Sequence, residues 1–94
     1  MAVGFMDARG VRLSVDLQLK GGRPIILISG GPGVPDYLAP VAAVLKYTTV
    51  VYDQRLAGRS PCFDKDFTVE AHLRDLETIR TGLNAEKVHL FGHS

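Results

Sequence analysis

Val88-His89-Leu90-Phe91-Gly92-His93-Ser94 stands last in the chain: an apolar run leading directly into Gly-x-Ser. A strand that runs into this tripeptide is how a nucleophile elbow begins, with a serine raised on a strained strand-to-helix turn. The pattern's second glycine would fall at the second position after Ser94, beyond the residues given. The tripeptide alone is short enough to occur by chance, so its meaning depends on what precedes it.

Two further runs have the character of Val88–Phe91. Ile25-Ile26-Leu27-Ile28 and Thr48-Thr49-Val50-Val51-Tyr52 are apolar or β-branched without alternation, as strands buried on both faces of a parallel sheet are. Helical stretches separate the three. One is expected from about Tyr37 to Lys46, with Pro40 tolerated only in its first turn. The other is expected from Val69 to about Leu83, with Thr68 as N-cap and Gly82 and Asn84 as the stop. Its Leu73, Leu76, Ile79, Arg80 and Leu83 follow helical spacing. Upstream, Val3–Ala8 and Val11–Lys20 read as a hairpin turning at Arg9-Gly10. In its second strand Val11, Leu13, Val15, Leu17 and Leu19 share one face, while Arg12, Ser14, Asp16 and Gln18 share the other. Gly21-Gly22 then breaks the chain. The expected class is α/β: an antiparallel hairpin followed by β-α-β-α-β, which implies a parallel sheet with right-handed crossovers. With no repeat, low-complexity tract or linker, residues 1–94 read as one domain, or part of one.

Composition narrows the function classes. Hydrophobic residues make up 46% and charged residues 22% of the chain, ordinary proportions for a soluble globular protein. A net charge of +1, with no basic stripe, argues against nucleic-acid binding. The pairs Lys20/Arg23 and Arg55/Arg59 read as solvated faces. Cys62 is the single cysteine, so no intrachain disulfide is possible and a reducing compartment fits; nothing near it in sequence is an obvious base. No signal-peptide pattern or membrane-length apolar run is evident, making the cytoplasm the expected location and a membrane partner unexpected.

Ser29-Gly30-Gly31-Pro32-Gly33 follows the Ile25–Ile28 strand, where open α/β sheets place ligands. A dinucleotide site would use such glycines and an acid about 20 residues on, and Asp53 sits where that acid would be. Two residues oppose this reading. Pro32 removes an N–H between the glycines, and Asp36 occupies the final glycine's place, where it would repel pyrophosphate. The rival reading is an oxyanion loop, whose backbone N–H groups stabilise the negative oxygen formed in acyl transfer. A glycine loop after the third strand and a Gly-x-Ser after the fifth open at the same sheet edge, which favours the second reading.

The loop Tyr52-Asp53-Gln54-Arg55-Leu56-Ala57-Gly58-Arg59-Ser60 contains no nucleophile–base pair. It reads as structural, with Arg–Asp pairing among Asp53, Arg55 and Arg59 fixing its shape. Taken in order, Gly-Gly-Pro-Gly, this loop, the helical Asp-Leu-Glu-x-Ile-Arg of Asp75–Arg80 and Gly-His-Ser resemble the proline iminopeptidase group of α/β-hydrolases. The match spans about Pro24 to Ser94.

Carried over position by position, the resemblance makes Ser94 the nucleophile and the Gly31 backbone N–H the first oxyanion donor. Gly30, Pro32 and Gly33 complete the oxyanion loop. It implies a cis Gly31-Pro32 bond and the strand order 1-2-4-3-5, with strands numbered along the chain. It also implies a serine hydrolase that releases an amino-terminal residue, classically proline, from peptides through an acyl-enzyme. An esterase of the same fold is the alternative, and an inactive remnant or interaction module the alternative of another class. No metal or organic cofactor is implied. The family's catalytic histidine and acid follow later strands; His93 fills the variable place in Gly-x-Ser, and His72 and His89 read as packing or surface residues. The chain is thus expected to be an amino-terminal part lacking the cap domain and later strands. By itself it should be inactive and self-associate through an exposed fifth strand. Two positions depart from the family: Ser29 stands where a histidine usually opens the loop, and Leu56 where a glycine is usual.

Overall fold

The structure is a computed structural model describing residues 2–8, 10–30, 36–55, 60 and 68–93, with Ala2 and Val3 described in their backbone only. Five strands, β1 (Ala2–Ala8), β2 (Val11–Gln18), β3 (Ile25–Ile28), β4 (Thr49–Tyr52) and β5 (His89–Gly92), and two helices, α1 (Ala39–Val44) and α2 (Val69–Gly82), follow the expected alternation. One sheet contains all five strands in the order β1-β2-β4-β3-β5. The hairpin pairs Met6 with Leu13, and β2 continues antiparallel onto β4 through Val15 and Tyr52. From β4 onward the sheet is parallel: Ile26 faces Val50 on one side and Leu90 on the other.

This order fixes the layers. The first crossover steps from β3 to β4; the second returns across β3 to β5. Right-handed crossovers travelling in opposite directions put their helices on opposite faces. Two cores result. Val11, Leu13, Val15, Ile26, Val50 and Tyr52 pack with Ile79 of α2, while Leu27 and Val51 pack with Leu38 and Ala42 beside α1. Residues of one strand alternate between the two layers, which is why β3 and β4 carry no polar face.

Local signals explain the helix ends. The Thr68 hydroxyl accepts from the Ala71 N–H at 3.2 Å, satisfying one of the first-turn donors that α2 leaves open. At the far end Asn84 takes φ +55°, the left-handed conformation that stops a helix. Gly82 acts differently from the stop expected of it. It is the last residue of α2, and a Cβ there would stand 3.0 Å from Met6 Sδ, so it permits the close approach of β1.

Three expectations on exposure are corrected. Leu19 is 78% exposed because β2 ends at Gln18, before it. Leu73 is 56% exposed; the fully buried positions of α2 are Ala71, Asp75 and Ile79, a stripe with four-residue spacing that includes a charged side chain. Ser14, on the expected polar face, is buried because β2 is interior and Ser60 covers it. Lys20 is exposed, as expected, and its ammonium also donates to the Ala42, Ala43 and Leu45 carbonyls at 3.1, 3.3 and 2.6 Å, capping α1 where its dipole is negative. The fifth strand lies at the sheet's edge, with Leu90 59% and Phe91 43% exposed.

Candidate active site

Because β3, β4 and β5 are parallel, the loops leaving them open at one edge of the sheet. The crossovers diverge from β3, so this edge is a topological switch point, where open α/β sheets leave a crevice. An open cavity of about 440 Å³ lined by Arg23, Pro24 and Leu83–Lys87 lies at the opposite edge, where β3 and β5 begin, and is not part of this crevice.

The β3–β5 ladder runs one step past the strand. The His93 N–H donates to the Ile28 carbonyl at 3.1 Å, setting the residue before Ser94 beside the start of the glycine loop. Ser29, buried, is held on both sides. Its carbonyl accepts from Gln54 Nε2 at 2.7 Å, its hydroxyl donates to Asp36 Oδ1 at 3.2 Å, and the same oxygen accepts from the Tyr37 N–H at 3.2 Å. Ser29 therefore ties the end of β3 to Asp36, Tyr37 and Gln54.

Asp53 is 4% exposed, and its Oδ1 accepts from the Asp36 N–H at 2.8 Å. Asp36 Oδ1 accepts in turn from the Leu38 N–H at 2.9 Å, an Asx turn leading into α1. A buried carboxylate bound to the neighbouring loop's backbone does not present itself to a ribose hydroxyl, which weighs against the dinucleotide reading. Ser60 anchors the other end of the arginine loop: its hydroxyl donates to the Asp53 carbonyl at 2.5 Å and accepts from the Ser14 N–H at 2.8 Å.

Arg55 corrects the expectation of a solvated side chain. It is 1% exposed and grips Asp75 of α2 bidentately, Nε to Oδ2 at 2.8 Å and Nη2 to Oδ1 at 2.9 Å. Arg–Asp pairing does shape this loop, through an aspartate on the following helix. Beneath it the Tyr52 phenol is pushed well above its ordinary value of about 10 by burial, with the Asp75 carboxylate adding to the shift. The folded state thus holds a proton that the unfolded chain releases, so stability is complete below about pH 10 and falls as pH rises above it. The expected slope approaches one proton per molecule, about 1.4 kcal/mol per pH unit. Ultraviolet absorbance of the phenolate, wild type minus Tyr52→Phe, should show Tyr52 ionising only together with alkaline unfolding. A Tyr52 titration near pH 10 in the folded state, on the ordinary scale of about 10, would contradict this.

Three residues without an expected role hold this edge together: Gln54 bonds the end of β3, Ser60 ties the loop after β4 to β2, and Tyr37 reaches from the glycine loop to His93. The Gly30 N–H donates to the Tyr37 hydroxyl at 2.6 Å, and that hydroxyl lies 2.7 Å from His93 Nδ1. The rings meet edge to face, centroids 5.5 Å apart. Gln54 and Ser60 stand within the quoted arginine loop, so their positions carry a signal; Tyr37 follows the glycine loop with none. Ser94, Gly31, Pro32, Gly33, Leu56 and Arg59, and with them the expected cis bond, lie outside the described residues. No group of three or more potential metal ligands occurs among the described residues, and no helix among them is long and apolar enough to cross a membrane.

Residues 23–94 match the family described as alpha/beta hydrolase fold. The chain is 36% identical over 97 residues to the proline iminopeptidase of Heyndrickxia coagulans, covering 97% of this chain and 34% of that protein. It is 36% identical over 77 residues to the proline iminopeptidase of Xanthomonas citri, covering 78% and 25%. Among solved structures, a proline iminopeptidase-related protein from Thermus thermophilus superposes with a TM-score of 0.84 at 26% identity, covering 98% of this chain and 35% of that one. Epoxide hydrolase A from Mycobacterium thermoresistibile superposes at 0.86 with 22% identity, covering 99% and 31%, a likeness of fold alone. The chain spans about a third of the length of the first of these relatives.

Proposed function

Since this chain belongs to the α/β hydrolase fold family, we propose that the full-length protein is a serine hydrolase releasing an amino-terminal residue, proline by preference, from peptides. The observation that carries the reading is the β3–β5 ladder ending at His93, with the glycine loop leaving β3 beside it. In this reading Ser94 Oγ attacks the scissile carbonyl and passes its proton to a histidine base. The Gly31 N–H and the N–H after Ser94 hold the oxyanion, and the proton goes on to the leaving amine. Water then cleaves the acyl-enzyme. The chain's own histidines do not fit the base. His89 begins β5 at the opposite edge of the sheet and His72 lies on α2, while His93 adjoins Ser94 and is occupied by Tyr37. The base and its acid therefore belong to other parts of the protein, and the 94-residue chain alone should be inactive and self-associate through β5.

The test combines a serine-directed fluorophosphonate with an anilide of proline. The full-length protein should be labelled stoichiometrically, the adduct should map to Ser94, and proline should be released from the anilide. Labelling elsewhere, or none, overturns the serine mechanism. Turnover of simple esters with no turnover of the anilide would instead make the protein an esterase.

A further inference from the structure

We propose that Tyr37 is a positioning residue of the hydrolase site, a strut whose hydroxyl joins the glycine loop after β3 to the residue preceding the nucleophile. This rests on the reading of Ser94 given above and names a residue that the resemblance did not single out. The hydroxyl has two hydrogen-bonding neighbours at close range: the Gly30 N–H at 2.6 Å and His93 Nδ1 at 2.7 Å. The first uses the phenolic oxygen as acceptor; the contact with Nδ1 runs in the direction the imidazole tautomer sets, and the hydroxyl also reaches the His93 carbonyl at 3.5 Å. The Gly30 N–H is thereby committed to Tyr37 and is not available as an oxyanion donor, which agrees with the role proposed above for the Gly31 N–H. One side chain thus takes the Gly30 amide out of reach of substrate and sets how far Gly30 stands from the residue preceding the nucleophile.

A strut must be fixed at its base, and Tyr37 is. The N–H groups of Asp36, Tyr37 and Leu38 donate to Asp53, Ser29 and Asp36 side chains at 2.8, 3.2 and 2.9 Å. At the other end, His93 is pinned to Ile28 through its own N–H at 3.1 Å. The phenol, 41% exposed, spans two anchored backbones and fills no core, so losing its hydroxyl should alter alignment more than stability. Two oxyanion donors on separate loops work only if their spacing is held, and a misplacement of about 1 Å costs on the order of 100-fold in rate.

The experiment is Tyr37→Phe in the full-length protein. The expected result is a fall in kcat of roughly 10- to 100-fold with KM within about twofold, since an interaction felt mainly in the transition state leaves ground-state binding alone. A cycle with His93→Ala should be non-additive, the double variant losing no more than the worse single one. In ¹⁵N-histidine spectra, Tyr37→Phe should move the His93 Nδ1 resonance and speed exchange of the Gly30 amide. If the wild type is labelled at Ser94 and Tyr37→Phe keeps its kcat, or the cycle is additive, the strut is overturned and the serine mechanism stands. If the wild type is not labelled at Ser94, both fall.

Discussion

Ser94→Ala in the full-length protein is expected to lower kcat by roughly 10⁴- to 10⁶-fold, with KM changed by less than about threefold. The size follows from the role proposed for the serine. Without Oγ no acyl-enzyme forms, and the base, the oxyanion donors and the bound substrate are left with only water to activate. What should remain is the acceleration that positioning and oxyanion stabilisation supply on their own, roughly 10³- to 10⁴-fold over water. That residue of activity should still depend on Tyr37, because the strut acts on the oxyanion loop as well as on the elbow. Steady-state kinetics on a proline anilide measures all of this. A Ser94→Ala enzyme within about tenfold of wild type would remove Ser94 from the chemistry.

The elements were legible in the sequence for reasons that also mark where legibility stops. Unbroken apolar runs at Ile25–Ile28 and Val50–Tyr52 announce strands covered on both faces, and both cores bear this out. Thr68 announces a helix start because its capping bond is made three residues away. Bonds of that reach are written in one short window. Arg55 is different. Its charge reads as solvated until Asp75, 20 positions on, is brought against it by the turn of α2 onto the sheet. Both residues stand in quoted motifs, yet nothing in either stretch pairs them. Tyr37 is harder still. Its hydroxyl meets His93 only once β5 has paired beside β3, a separation of 56 residues. The strand order was recoverable through the family resemblance; side-chain partners across it were not.

The α2 register shows the same limit from the other side. Helical spacing identifies a helix but assigns its inner face partly to Leu73, which is exposed, whereas Asp75 is buried. The reason is the ion pair. A buried guanidinium in the loop after β4 needs a carboxylate over it, and it occupies the place where the second turn of an ordinary amphipathic helix would put leucine. A chemical constraint from the arginine loop overrides the apolar stripe for one turn, and Ile79 resumes it one turn later.

Removing that carboxylate should therefore have one of the largest effects on stability of any single change in the described core. Asp75→Ala deletes the group that holds Arg55 bidentately at 2.8 and 2.9 Å, while the guanidinium remains among residues that exclude water. Breaking one side of such a pair costs about 3–5 kcal/mol, against about 2–5 kcal/mol for an aliphatic truncation in the same core. Asp75→Asn, which keeps an acceptor and the shape, should lose less than Asp75→Ala. Arg55→Met with Asp75→Leu should recover most of the loss, because two apolar groups of similar volume carry no desolvation cost. Urea unfolding of the wild type and these three variants decides it. If Asp75→Ala costs under about 1 kcal/mol, the pair behaves as a surface salt bridge does, and the burial of Arg55 is not what fixes the loop. The Tyr52 phenol supplies an internal check. Its shift owes more to burial than to Asp75, so Asp75→Asn should lower the Tyr52 pKa only in part and leave alkaline unfolding in place. A loop held this way carries Asp53 and Ser60 on a rigid base, and Asp53 in turn fixes the Asp36 N–H from which Tyr37 rises. Destabilising the ion pair should thus loosen the crevice from beneath, lowering kcat in Asp75→Asn even at temperatures where the variant is fully folded.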